Sequence, residues 1–126
     1  MNPATGALRV VATLGFLAVA LGAFGAHSLK EILTRNETAS IWEKAVFYHF
    51  IHTVVMFVLA NRQPLHRGQC FSFLIGIVLF SGSLYLLALT NARWLGVITP
   101  FGGVAFLVGW LWLALVPGPR VESRTN

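Results

Sequence analysis

The sequence predicts an all-α protein: a four-helix transmembrane bundle with a short interfacial helix after the first span. Of its 126 residues, 56% are hydrophobic and 10% are charged, whereas soluble domains carry about 25% charged residues. A chain this short has too small an interior for so much apolar surface, so the excess must face lipid. Four apolar runs also approach the length of about 20 residues that a helix needs to cross the hydrocarbon core. We therefore expect one integral membrane domain covering residues 1–126.

The first predicted span covers residues 8–26. Gly15, Ala18, Gly22 and Gly25 recur in it at intervals of three and four residues, which places them on one helical face. Small residues on one face allow two helix backbones to approach closely in a membrane, so we expect Gly22 to lie at a helix–helix contact. A cleaved signal peptide is the alternative. The run is longer than a usual signal core and its basic leader is thin, which favours retention of the helix.

A short amphipathic segment follows the first span. Ser28 and Glu31 have the spacing of a capping box, in which a hydroxyl and a carboxylate satisfy free amides at a helix start. Apolar side chains between residues 29 and 33 form one edge, and charged side chains form the other. The pattern predicts a short helix lying at the membrane interface, followed by a loop over residues 36–39.

The second predicted span covers residues 41–61 and has polar residues at both ends. Ser40 with Glu43 forms a second capping box at its start. Trp42 lies where an aromatic anchor at the interface is typical. A polar loop containing Pro and Gly follows, which separates this span from the next.

The third and fourth predicted spans cover residues 71–89 and 95–116. Only a tight connection at residues 90–93 lies between them, so we expect an antiparallel pair. Thr99–Pro100 has the pattern of a helix start, with Thr as the cap and Pro at the first helical position. Residues 117–126 form a polar tail that we expect to be mobile.

The basic residues are spread singly between the apolar runs, although the net charge is +5. This spacing suits loops lying against anionic lipid head groups and argues against nucleic-acid binding. The side of the termini has Arg9, Arg62, Arg67, Arg120 and Arg124, and the other side has Lys30, Arg35, Lys44 and Arg93. Because Lys44 falls within the second span, the positive-inside rule favours cytoplasmic termini.

The second span carries Tyr48, His49 and His52, which lie in one half of the helix at 100° per residue. A histidine at membrane depth usually faces the bundle interior or a polar cavity. Three hypotheses remain open for the pair. The imidazoles could hold a metal or haem, relay protons or bind a polar ligand, or form hydrogen bonds that fix helix packing.

Ser81 and Tyr85 lie four residues apart in the third span, so they share a helical face. We expect them to be partners of His49 or His52, and we expect His52 to bond Ser81, Tyr85 or the region around His27. The absence of an Asp from the spans, where it could orient a histidine base, argues against a serine nucleophile. Cys70 is the only cysteine, which rules out an internal disulfide. The candidate ligand-binding residues are therefore His27, Tyr48, His49, His52, Ser81 and Tyr85, and no catalytic residue, metal ligand or cofactor is predicted.

Four motifs resemble a known family. They are Gly22-Ala23-Phe24-Gly25-Ala26-His27, the stretch from Trp42 to His52, Phe80-Ser81-Gly82-Ser83-Leu84-Tyr85, and Thr99-Pro100-Phe101-Gly102-Gly103 followed by Gly109-Trp110. The chain resembles domain-of-unknown-function family 423, which includes the transmembrane protein 256 of animals. The resemblance covers about residues 9–115. It implies a bacterial inner-membrane protein with four spans and a retained first helix, and it lends no activity. At position 49 the family more often has Gln, which favours His27 and His52 over His49 as functional residues.

These observations predict a non-enzymatic protein that oligomerises and presents a polar intramembrane pocket for a proton or a small polar ligand. An alternative is an accessory subunit that packs against a larger membrane enzyme or complex through its small-residue faces. A third hypothesis is a redox subunit that holds haem or quinone at the histidines. The expected partners are the lipid bilayer and either further copies of the chain or the subunits of a membrane complex.

Overall fold

A computed structural model describes residues 2–62 and 64–117, and within these ranges the chain forms helices and no strand. The predicted fold class is confirmed. Four helices are long and apolar enough to cross a membrane, namely Thr5–Ala26, Ala39–Ala60, Arg67–Thr90 and Arg93–Leu115. The predicted mobile tail lies outside the described residues, except for Pro117.

The helical elements follow one another with short connections. They are α1 (Pro3–Ala26), α2 (Lys30–Arg35), α3 (Ala39–Ala60), α4 (Arg67–Gly76), a π-helical segment (Ile77–Ser81), α5 (Gly82–Thr90), a 3-10 helix (Arg93–Val97) and α6 (Thr99–Leu115). Helix α4, the π-helical segment and α5 together form the third span. The helices begin before the predicted apolar runs, because hydropathy marks the hydrocarbon core while a helix can continue into the interface.

The third span and α3 form the centre of the bundle. Of their most apolar windows, 44% and 39% are buried, compared with 11% for α1 and 17% for the span ending in α6. Helix α1 packs against α3, and α6 packs against α4 and the π-helical segment. Large apolar side chains on the outer helices are exposed, as lipid-facing surfaces require.

The small-residue face of α1 contacts α3, as predicted. A Cβ added at Gly22 would lie 3.3 Å from Cγ1 of Val46, and one added at Gly15 would lie 3.7 Å from Cγ2 of Thr53. Ala18, between them on the same face, is 1% exposed. The absence of larger side chains therefore allows α1 to lie close to α3 along several turns.

Trp42 does not anchor the protein at the interface, and that prediction was wrong. The side chain is 3% exposed, and its indole N–H donates to the Leu21 carbonyl of α1 over 2.9 Å. A Cβ at Gly25 would collide with the indole. Trp42 is buried because the glycine leaves space for the ring and α1 supplies an acceptor for its N–H.

The predicted antiparallel pairing of the third and fourth spans is present. The Ser72 hydroxyl donates to the Ala105 carbonyl over 2.7 Å, and the Ser83 and Thr99 hydroxyls are 2.7 Å apart. The two spans are joined through Asn91, whose φ of 57° is left-handed, a conformation that Asn tolerates after a helix end. The contacts therefore run in opposite chain directions along the two helices.

The predicted hydroxyl caps are absent, and this corrects the sequence analysis. Helices α2, α3 and α6 have Leu29, Thr38 and Ile98 as their caps, and none of these makes a side-chain cap hydrogen bond. The Thr38 hydroxyl donates instead to the Ala88 carbonyl of α5 over 2.7 Å. Thr99 likewise bonds across to Ser83. A hydroxyl group can bond to an acceptor on a neighbouring helix instead of to the free amides at a helix start. The spacing of residues along the chain does not show which of the two it does.

Candidate functional site

The polar side chains of α3 face two different neighbours rather than one pocket. His49 bonds to Tyr85 of α5, whereas His52 bonds to Trp110 of α6. Both residues are buried, with 3% of the surface of His49 and 5% of that of His52 exposed. The structure therefore divides the predicted site into two separate polar contacts.

His52 has internal partners for both ring nitrogens. Its Nδ1 lies 2.7 Å from the Tyr48 carbonyl oxygen, and the Trp110 indole N–H donates to its Nε2 over 3.1 Å. A carbonyl only accepts and an indole N–H only donates, so the proton of a neutral His52 lies on Nδ1. The ring also stacks on Phe106, with centroids 3.6 Å apart and planes 10° from parallel. The expected partners Ser81, Tyr85 and the His27 region were wrong, because α6 supplies the partner of His52.

His49 has a partner for only one ring nitrogen. Its Nδ1 lies 3.0 Å from the Tyr85 hydroxyl. Its Nε2 is buried and has no hydrogen-bond partner, and it is the one such side-chain atom found among the described residues. The backbone of Leu14 in α1 is close to the ring, but it does not reach hydrogen-bonding geometry with Nε2. A buried polar atom without a hydrogen-bond partner lowers the stability of the folded protein, so its presence needs an explanation.

Tyr85 joins His49 to the aromatic core around Trp42. The rings of Tyr85 and Trp42 have centroids 4.8 Å apart and are tilted by 59°. The prediction that Tyr85 would be a partner of one of the α3 histidines is therefore correct for His49. Because a phenol hydroxyl can donate or accept, this partner places no restriction on which form of the imidazole is present.

Ser81 contacts α3 without contacting a histidine. Its side chain is completely buried, and its hydroxyl donates to the Ala45 carbonyl over 2.7 Å. Ser81 ends the π-helical segment, so this bond attaches that segment to α3. The expectation that Ser81 would be a histidine partner was wrong, because its hydroxyl is directed at the Ala45 carbonyl instead.

Two further candidates lie at the bundle surface. His27 is exposed in the turn after α1, where its backbone N–H bonds the Phe24 carbonyl over 3.2 Å. Tyr48 is 36% exposed, and its ring lies 4.4 Å from that of Phe80. It lines an open aromatic groove of about 500 Å³ between α3 and α6. The structure therefore does not bring His27 together with the histidines of α3.

Metal binding finds little support in this geometry. Three of the four ring nitrogens of His49 and His52 are hydrogen-bonded. In the described part of the chain, no group of three or more His, Cys, Asp or Glu side chains is placed to hold a metal ion.

Trp110 is the residue that sequence reasoning missed at this site. It was part of the Gly109-Trp110 motif, and an indole N–H on an apolar membrane helix needs an acceptor on a neighbouring helix. The sequence therefore indicated that Trp110 bonds to a neighbouring helix. What the sequence lacked was the rotation of α6 that directs this tryptophan towards His52.

Comparison with known protein families identifies the family to which the chain is similar. Residues 21–103 match the family model described as "Protein of unknown function (DUF423)". The chain belongs to the DUF423 family. The match includes His49, His52, Ser81 and Tyr85 and ends before Trp110.

Bacterial membrane proteins are similar to this DUF423 chain over most of its length. A "UPF0382 membrane protein" of Staphylococcus epidermidis is 43% identical over 116 residues, covering 86% of this chain and 94% of the relative. The "UPF0382 membrane protein YwdK" of Bacillus subtilis is 41% identical and covers 79% and 85%. The "UPF0382 inner membrane protein YgdD" of Escherichia coli is 40% identical and covers 93% and 92%. No solved structure matches the chain significantly.

Proposed function

We propose that this protein is a non-enzymatic, multi-pass protein of the bacterial inner membrane that binds or passes a proton or a small polar ligand at His49. The observation that carries the proposal is the buried, unpartnered Nε2 of His49 beside an occupied Nδ1. Leaving such an atom unsatisfied costs about 1–3 kcal/mol. A polar ligand that forms a hydrogen bond with Nε2 removes that cost.

The depth of His49 supports this proposal. His49 lies midway along α3, which runs from Ala39 to Ala60. At about 1.5 Å per residue it therefore sits near the centre of a hydrocarbon core about 30 Å thick. Ionisable residues at this depth are rare and typically mark ion or substrate sites.

The partner of His49 tolerates both protonation states of the ring. When Nδ1 has no proton, the Tyr85 hydroxyl donates to it, and when Nδ1 is protonated the same oxygen accepts. Tyr85 is the titratable group in contact with this imidazole, and the facing positions Gly15, Ala18 and Gly22 of α1 add no charge. Binding at Nε2 therefore requires no rearrangement of charged neighbours.

His52 provides the contrast. Its Nε2 already accepts from the Trp110 indole, so a proton there would face another N–H group. His52 is consequently suited to a fixed packing role. Of the six candidate residues, the proposal assigns ligand binding to His49, with Tyr85 as its positioning partner.

Proton flux into vesicles tests the proposal. The protein is reconstituted in phosphatidylcholine vesicles containing a pH-sensitive dye, and a potassium gradient with valinomycin supplies the driving potential. We expect flux above that of protein-free vesicles, reduced to background by His49→Gln and unaffected by His66→Gln in the loop before α4. Nitrogen-15 NMR of the protein in bilayers reports the state of Nε2 directly. Absent flux together with an Nε2 bonded only to the Leu14 carbonyl or to water would refute the proposal.

A second candidate function is that of an accessory or oligomeric subunit, with part of the exposed surface of α1 as the contact. Only 11% of its apolar window is buried, and Phe16 and Val19 are 73% and 63% exposed. A second copy or a larger membrane protein would cover this face. Phe16→Cys in a Cys70→Ser background tests the first case, since oxidation should give a disulfide-linked dimer. Loss of the dimer signal with copurification of a partner from native membranes would favour the second case.

A further inference from the structure

A cleft opens between the first turns of α1 and the start of the third span, away from the His49 contact. It encloses about 370 Å³ and is lined mostly by apolar side chains, including Val10, Met56 and Phe71. Arg67, the first residue of α4, also lines it and is exposed. The cleft thus combines an apolar interior with one cationic side chain.

The depth of the cleft corresponds to the outer part of one lipid leaflet. Its lining runs along α4 from Arg67 to Leu74, a length of about 10 Å at 1.5 Å per residue. Met56 lies one turn before the end of α3 at Ala60. An acyl chain entering from the surface would therefore occupy the cleft while its head group remained near Arg67.

The charged residues near the cleft favour anionic lipids over other lipids that could enter it. The described residues at this end of the bundle include Arg62 and Arg67, both exposed, and contain no Asp or Glu. The three glutamates of the described chain, Glu31, Glu37 and Glu43, lie at the opposite end, in or beside α2 and the start of α3. Basic pockets between membrane helices are suited to anionic head groups.

We infer that this cleft binds one acyl chain of an anionic phospholipid, whose phosphate is held by Arg67. Gly6 contributes to the inference because a Cβ there would meet nothing within 4 Å, so its lack of a side chain leaves the α1 wall of the cleft open. The inference is independent of the proposed function at His49. It is also consistent with cytoplasmic termini, since anionic lipids enrich the cytoplasmic leaflet.

Native mass spectrometry of the full chain in detergent tests this inference with two lipids that differ only in the head group. Dioleoylphosphatidylglycerol should bind about tenfold more tightly than dioleoylphosphatidylcholine, because its phosphate lacks a compensating positive charge. Arg67→Gln should bring the two affinities together. Arg93→Gln, at the opposite end of the bundle, is the matched control and should keep the preference.

The apolar part of the site has its own variant and its own readout. A Cβ at Gly6 meets nothing within 4 Å, so Gly6→Leu should place its side chain in the cleft and lower the affinity for both lipids while the protein remains folded. Cys70 lines the cleft and is the only cysteine, so phosphatidylglycerol should slow its alkylation by N-ethylmaleimide. Equal affinities for the two lipids would overturn the inference, as would an equal loss in Arg93→Gln. A dimer that protects Cys70 and dissociates in Gly6→Leu would show that a second copy occupies the cleft instead.

Discussion

The Trp110 indole and the His52 imidazole are joined by a hydrogen bond of 3.1 Å in which Trp110 can only donate. The bond connects α6 to α3, two helices that both pack against the third span. It also fixes the imidazole proton on Nδ1, facing the Tyr48 carbonyl. We therefore predict that nitrogen-15 NMR will show a neutral His52 with a protonated Nδ1. A signal from a protonated Nε2 would contradict this geometry.

Removing the indole donor should destabilise the bundle. Trp110→Phe leaves Nε2 of His52 buried without a partner, which we expect to cost about 1–3 kcal/mol. The midpoint of thermal unfolding in detergent measures the loss. Trp94→Phe is the control, because Trp94 is 66% exposed and should change the midpoint little.

The contact between α1 and α3 predicts opposite effects for two glycines of the same helix. Gly25→Ala should lower stability by about 1–3 kcal/mol because the new methyl group collides with the Trp42 indole. Gly6→Ala meets nothing within 4 Å and should be neutral or stabilising by about 0.5–1 kcal/mol through helix propensity. Chemical unfolding in mixed micelles distinguishes the two. Equal effects would mean that α1 does not pack against α3 in the membrane.

Thr38 fastens the loop before α3 to the end of α5. Its hydroxyl donates to the Ala88 carbonyl, one of the terminal carbonyls that lack a partner within their own helix. Thr38→Val keeps the shape and removes the donor, so we expect a loss of about 1–2 kcal/mol in thermal unfolding experiments. Thr34→Val removes only an exposed bond within α2 and should have little effect. A large loss in both variants would point to a general effect on α2.

The topology prediction is four spans with both termini in the cytoplasm. Reporter fusions at Asn126 and Asn36 test it, since the first should be active in the cytoplasm and the second in the periplasm. The basis is the arginine distribution. A periplasmic C-terminus would reverse the orientation, and a mature N-terminus at Ala26 would show that the first helix is cleaved.

The features that depend on composition and on helical period were predictable from the sequence. Hydropathy located the spans, and the spacing of Gly15, Ala18 and Gly22 predicted the α1 face that contacts α3. Both signals are local, because hydropathy and side-chain size are properties of the residues themselves and do not depend on which helix they contact.

Partners of polar groups could not be predicted in the same way. Thr99 was expected to cap the helix that follows it, but its hydroxyl bonds to Ser83 of the neighbouring helix. Tyr85 was correctly expected to contact a histidine of α3, whereas Ser81 bonds to a backbone carbonyl. Which partner a polar group reaches depends on the relative rotation of two helices, and sequence spacing within one helix contains no information about that rotation.

The π-helical segment Ile77–Ser81 changes the phase of the third span between its two halves. Ser72 and Phe73 before it contact α6, whereas Ser81 at its end and Tyr85 beyond it contact α3. Shortening the segment by one residue would restore the ordinary repeat and rotate everything that follows by about 100°. Tyr85 would then turn away from His49 while Ser72 stayed on Ala105. One extra residue in a single turn therefore allows one continuous helix to direct contact residues at both α6 and α3.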